Sequence, residues 1–262
     1  MIKNKIYANL IRELAITDFK LKYKGSFFGY LWSLVKPLLL FLVLYTVFTK
    51  IFKLGNSIPD YPVYLLLGIT LWGFFAETTN LCMNSIVGRG DLIRKVYFPK
   101  LILPVSSSIS SLITLVLNLF VVFGFALYTH VPLTINLLLL PLVILEFYVL
   151  VLGVSFFLAS LFVRFRDVGH IWDVLLQALF YATPIIYPLT LVPNRLLKII
   201  MLNPVAQIIQ DFRRIVISPK IESSVSVNGI VLGLFPYVFT VVVFIVGYFI
   251  FQKMAVKFAE EV

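Results

Sequence analysis

Apolar residues along this chain run in blocks of about 20 positions, the length at which a helix rising 1.5 Å per residue crosses roughly 30 Å of hydrocarbon. Six blocks stand out, at 31–52, 61–83, 101–128, 133–162, 171–187 and 230–251. Within them apolar and polar positions do not alternate, which excludes a membrane β-barrel and predicts an all-α integral membrane protein with six transmembrane helices. The third and fourth blocks exceed what a bilayer needs, so they tilt, kink or project, and Pro141 offers a kink site. A single transmembrane domain over 1–262 follows. It is divided into a leading segment (1–30), spans one to five (31–188), a long outer loop (189–229) and the last span with its tail (230–262).

Three segments follow other rhythms. Before the first span, Ile6, Tyr7, Leu10, Ile11, Leu14 and Ala15 recur at helical spacing, with Lys3, Lys5, Asn9, Arg12 and Glu13 between them. This describes an N-terminal amphipathic interfacial helix, or else a helix packed on protein. In the outer loop Asn203 suits an N-cap and Pro204 the first helical position, while Ile208, Ile209, Phe212, Ile215 and Val216 share a face. Two short helices result, either re-entrant in the outer leaflet or resting on its headgroups. Between spans two and three, Gly88 and Gly90 make a turn, Asp91 caps, and Leu92 to Tyr97 form a short helix that Pro99 stops. That helix presents Leu92 and Ile93 to a partner, unless the segment is a solvated loop.

Composition sharpens this picture. With 61% hydrophobic and 13% charged residues and a mean hydropathy of +1.02, a water-soluble domain is excluded. The net charge of +10 sits at the ends of apolar runs and forms no basic face interleaved with aromatics, so topology and anionic headgroups explain it and no nucleic acid partner is expected. Cytosolic termini place 14 Lys and Arg inside against seven outside. The first long apolar run begins near Leu31, too late for a cleaved signal peptide, so the leading segment is expected to be retained.

Chemistry of the usual kinds is missing. Cys82 is the only cysteine, His130 and His170 are far apart, and no glycine is followed by lysine, so neither a disulfide, a local zinc motif nor a Walker phosphate loop is expected. No metal or catalytic residue is assigned, and energy has to come from a gradient or a partner. Intramembrane polar residues are few. Lys36 and Glu77 fall at similar depth near the cytosolic ends of spans one and two and are expected to pair. Glu146 lies near the midplane with Asn118 at matching depth, so those two are expected to bond; a coupling proton site at Glu146 is the alternative. Among 25 Phe, 13 Tyr and 3 Trp, the in-span residues Tyr45, Trp72, Phe74, Phe75, Phe180 and Tyr181 either pack or line a path for sugars.

Four stretches together resemble the membrane (permease) subunit of bacterial type-2 ABC exporters for polysaccharides, the family that exports O-antigens and teichoic acids. They are DFKLKYKGSFFGYLWSLVKPLL, GDLIRKVYFPKLILP, FRDVGHIWDVLLQALFYATPIIYPL and LNPVAQIIQDFRR. The resemblance implies a homodimer in the bacterial inner membrane with both termini cytosolic, joined by two nucleotide-binding ATPase subunits that hold ATP and Mg. It makes Arg89, Gly90, Asp91, Leu92, Ile93, Arg94, Lys95 and Tyr97 a coupling helix seated in the ATPase, with Leu92 and Ile93 as its apolar anchors. Asn203, Pro204, Phe212 and Arg213 become part of a re-entrant outer gate. The cargo implied is a lipid-linked polysaccharide, admitted beside the interfacial helix. It would pass between the two copies of spans one, two and five. A drug or small-lipid exporter, a membrane-embedded transferase and a proton-coupled carrier are the competing readings. The transferase lacks a convergent catalytic cluster, and the carrier requires Glu146 to titrate.

Overall fold

A computed structural model describes residues 2–22, 24–26, 28–53, 60–132 and 134–261, with no strand among them. The helices are α1 (Ile2–Lys22), α2 (Trp32–Thr46), α3 (Tyr61–Asn84), α4 (Gly90–Lys95), α5 (Ile102–Tyr128), α6 (Leu140–Arg164), α7 (Val168–Ala182), α8 (Asn194–Ile200), α9 (Pro204–Val216), α10 (Ser224–Gly233), α11 (Phe235–Ala255) and α12 (Phe258–Glu261). Five segments are long and apolar enough to cross a membrane: Gly29–Ile51, Tyr61–Asn84, Ile102–Tyr128, Ile135–Arg164 and Phe235–Ala255. They correspond to five of the six blocks. Leu133, the predicted start of the fourth, lies outside the described residues.

The block at 171–187 forms a helix of only 15 residues, α7, or about 22 Å at 1.5 Å per residue. Its end is set by Thr183, which turns extended (φ −94°, ψ 139°) before Pro184; a residue preceding proline resists the helical region. The final span also starts later than the apolar run. Gly229 (φ 74°, ψ 177°) kinks α10, whose start is held by a Ser223–Ser226 capping box, and α11 begins at Phe235 with Pro236 in its first turn.

Helix α3 is the central post. A helix apolar on every side must be surrounded, and α3 is, with Leu65, Leu67 and Leu71 fully buried among α2, α5, α6, α7 and α9. Helices α6 and α11 approach backbone to backbone, since a Cβ added to Gly153 would stand 2.6 Å from Phe244 Cα; only glycine permits that approach. A second core joins α4, α6, α11 and α12, and Tyr7, Leu10, Ile11 and Leu14 of α1 pack against it. Apart from exposed Ile6, the apolar stripe of α1 therefore rests on protein, the alternative its pattern left open. Lys20 and Lys22 occupy the last turn of α1, at the negative end of the helix dipole, and Gly25 (φ 79°) then lets the chain turn away.

Candidate functional site

A cavity of about 830 Å³ opens between α2, α3 and α5 and reaches Phe180 of α7. It gathers six of the residues singled out by sequence: Lys36, Trp72, Phe74, Glu77, Asn118 and Phe180. Pro37 removes a backbone donor in α2 beside the opening. On the wall, the rings of Trp72 and Phe180 meet edge to face at 5.9 Å, and Phe74 is backed by Phe147 at 5.3 Å. Rings held in this way present rigid apolar surface at little conformational cost. The remaining three do not line the cavity, although Phe75 packs against Trp72 at 5.5 Å and Tyr181 meets Phe180 edge to face at 5.3 Å. Phe75 packs on Trp172 at 6.0 Å, whose indole nitrogen donates to Thr79; Tyr45 stacks on Phe41 and Tyr61; Tyr181 points outward and is exposed.

At the Asn84 end of α3 the charges pair differently from expectation. Glu77 accepts from Lys22 of α1 rather than from Lys36, with Ser111 Oγ a further donor at 3.5 Å. Asp18, one helical turn before Lys22, pairs with Arg89 at the start of α4 and accepts from Ser107 Oγ at 3.1 Å. Depth along a span cannot reveal a partner that arrives from another helix. The signal was nonetheless present: Asp18 and Lys22, four apart, share one face of α1. Lys36 lines the same cavity as this pair.

Helix α4 forms two residues earlier than the pattern predicts, with Arg89 rather than Asp91 at its N-cap and Val96 already extended, and its apolar residues are placed otherwise. Ile93 is only 3% exposed and belongs to the second core, and Leu92 packs against that core. Ile93 is thus not available as an anchor for a partner. Tyr97, 95% exposed, and Val96 beyond it are the apolar side chains that face outward, beside exposed Arg94 and Lys95. A short helix must bury one face to persist, and Ile93 supplies that face.

The Tyr61 end of α3 is clasped by the outer loop. Asn203 caps α9 by accepting from Val205 N at 3.0 Å, with Pro204 next, as predicted. Phe212 and Arg213 are both fully buried. Arg213 donates to the carbonyls of Pro184 (2.6 Å), Ile185 (2.8 Å) and Tyr64 (3.1 Å), and its guanidinium carbon stands 3.3 Å from the centre of the Tyr64 ring. Burial pulls its pKa down to about 10, while the Tyr64 contact opposes that shift. The Tyr61 and Tyr64 hydroxyls donate to the carbonyls of Ile186 and Tyr187. Arg213 is therefore a staple between α9, α3 and the turn at 183–187. Tyr61 and Tyr64, its partners in that clasp, carried no sequence signal beyond lying at a span end.

Glu146 and Asn118 are not partners. Asn118 Nδ2 donates to Thr114 O at 2.9 Å on its own helix, facing the large cavity. Glu146 faces α9 and α11, in a separate pocket with Asp211, Arg214 and Tyr237. There Asp211 Oδ2 accepts from Gln207 Nε2 (2.6 Å) and from the Tyr237 hydroxyl (2.7 Å). Equal depth in the membrane did not mean a shared face. No group of three or more His, Cys, Asp and Glu positioned to hold a metal occurs among the described residues.

Comparison with known proteins places the chain among transporters. The profile of the ABC-2 type transporter family matches residues 9–217. The chain is 33% identical over 213 residues to the O-antigen export system permease protein RfbA of Myxococcus xanthus, covering 80% of each chain. It is 28% identical over 257 residues to the protein of the same name from Klebsiella pneumoniae, covering 96% of this chain and 94% of that one. It is also 22% identical over 247 residues to the polysialic acid transport protein KpsM of Escherichia coli, covering 90% of each.

Proposed function

The chain belongs to the ABC-2 type transporter family, and from that premise we propose that it is the membrane subunit of an ATP-driven exporter that moves a lipid-linked polysaccharide of the O-antigen type across the bacterial inner membrane. The observation that carries this reading is the cavity between α2, α3 and α5: rigid Trp72, Phe74 and Phe180 surfaces beside Lys22, Lys36 and Glu77. Aromatic faces suit the C–H faces of sugar rings, and the two lysines suit the phosphate of a lipid carrier. The relatives supply the cargo class.

In this reading the chain hydrolyses nothing. ATP and Mg belong to two separate nucleotide-binding subunits, docked on α4 of a homodimer with Val96 and Tyr97 as contacts. Both termini are cytosolic, α1 lies at the inner membrane interface with its apolar stripe on protein, and α7 with the 183–187 turn completes a sixth crossing. Closure of the ATPase pair moves α4; the Asp18–Arg89 bridge passes that movement to α1, and Lys22–Glu77 passes it to the cavity. The population then shifts between closed and open arrangements of the spans.

Deletion of the chain, with complementation by the wild-type gene, tests the reading. Surface polysaccharide is expected to be lost while lipid-linked glycan accumulates in the cytosolic leaflet. Normal surface polysaccharide in the deletion strain would overturn it.

A further inference from the structure

On α9, one turn before Arg213 would close the clasp, Gln210 is 1% exposed, and neither its Oε1 nor its Nε2 has a hydrogen-bond partner among the described residues. Buried side-chain amides are normally satisfied, and one with both atoms unpartnered calls for an explanation. Gln210 lines a cavity of about 350 Å³ at the Tyr61 end of α3, the end away from α4. Buried Tyr64 and Leu189 form its wall, and Thr190, Lys220 and Glu222 stand exposed at its mouth. The Tyr64 ring is fixed from one side by Arg213 and through its hydroxyl by Tyr187 O at 3.2 Å.

We propose that this pocket binds one neutral sugar unit of the exported chain at the end of the molecule where that chain leaves; the proposal rests on the polysaccharide-export reading. A primary amide offers a donor and an acceptor side by side, which matches adjacent sugar hydroxyls, each able to accept and to donate. The volume lies at the low end of the range for ligand pockets and admits a single small unit. Leu189 and Tyr64 suit the apolar face of a ring. Lys220 and Glu222 bring opposite charges to the mouth, so an anion drawn by the lysine meets the carboxylate; that balance favours an uncharged unit over a phosphate.

Gln210→Leu removes both hydrogen-bonding atoms at nearly constant volume, and Thr190→Trp fills the mouth from an exposed position. The assembled exporter, with its ATPase subunits in nanodiscs, is probed by saturation-transfer NMR with methyl α-glucoside, methyl α-mannoside, methyl β-galactoside and N-acetylglucosamine, and by phosphorus NMR with inorganic phosphate. At least one neutral glycoside is expected to receive transfer from the wild type and none from either variant. Export in cells should fall several-fold in Gln210→Leu while its thermal midpoint stays at or above that of the wild type, because a buried unsatisfied amide has been removed. The proposal is overturned by absence of transfer to every glycoside, by transfer that survives both substitutions, by binding of phosphate alone, or by a midpoint that drops together with export. Persistent surface glycan in the deletion strain defeats the export reading itself. Loss of glycan in that strain, with none of the pocket effects, defeats the pocket alone.

Discussion

The two ends of α3 are held by opposite kinds of contact. At the Tyr61 end a fully buried guanidinium joins three carbonyls and a tyrosine ring. At the Asn84 end two ion pairs tie α1 to α3 and α4, and their side chains keep between 18% and 33% of their surface in solvent. A buried charge without its partners is costly, so the first arrangement has one stable form. Partly solvated ion pairs contribute little and can exchange partners at small cost, so the second can move. The molecule thus has a fixed end and an adjustable end on one helix, and the adjustable end is the one that touches α4.

Four variants test that contrast, from the largest expected effect to the smallest. Arg213→Ala removes the side-chain donor to the buried Pro184 and Ile185 carbonyls and the packing on the Tyr64 ring, and should cost about 3 kcal/mol or more, seen as a large drop in thermal midpoint and in folded yield. Gly68→Ala places a Cβ 2.8 Å from Arg213 Nη2 and 3.0 Å from Ile185 O; overpacking of this kind should cost about 1–3 kcal/mol in the same assay. If both changes were tolerated, the Tyr61 end would not be rigid. Asp18→Asn should lower stability by no more than about 1 kcal/mol, yet reduce export sharply with nucleotide hydrolysis retained. The paired substitution Val96→Asp with Tyr97→Asp should shift stability by under about 0.5 kcal/mol, both side chains being exposed, while the ATPase subunits no longer co-purify. Retained co-purification would remove Val96 and Tyr97 from the docking surface.

Legibility in the sequence followed the range of the interaction. The blocks at 61–83 and 101–128 correspond to α3 and α5 within a residue at each end, because hydrophobic length is a local property that lipid enforces directly. The Asn203–Pro204 start of α9 was equally legible, since a cap is decided within three residues. Proline decided where local reading failed: the apolar run to 187 hid the break that Pro184 imposes on α7. The Glu77 partner was wrong because Lys36 matched only in depth, whereas the docking of α1 on the second core brought Lys22 to the site. Ile93 follows the same rule, since α12 packs against α4 and that contact leaves no trace in the 84–100 segment. The orphaned amide of Gln210 becomes visible only once α9 is enclosed.

Hydrogen exchange on the assembled exporter, with and without ATP and Mg, tests the fixed-end and adjustable-end account most directly, because local opening is read helix by helix. The account predicts that nucleotide changes exchange in α1 and in residues 85–100 while α9 and residues 183–187 keep their protection. Nucleotide-dependent exchange concentrated in α9, with α1 and α4 unmoved, would contradict it.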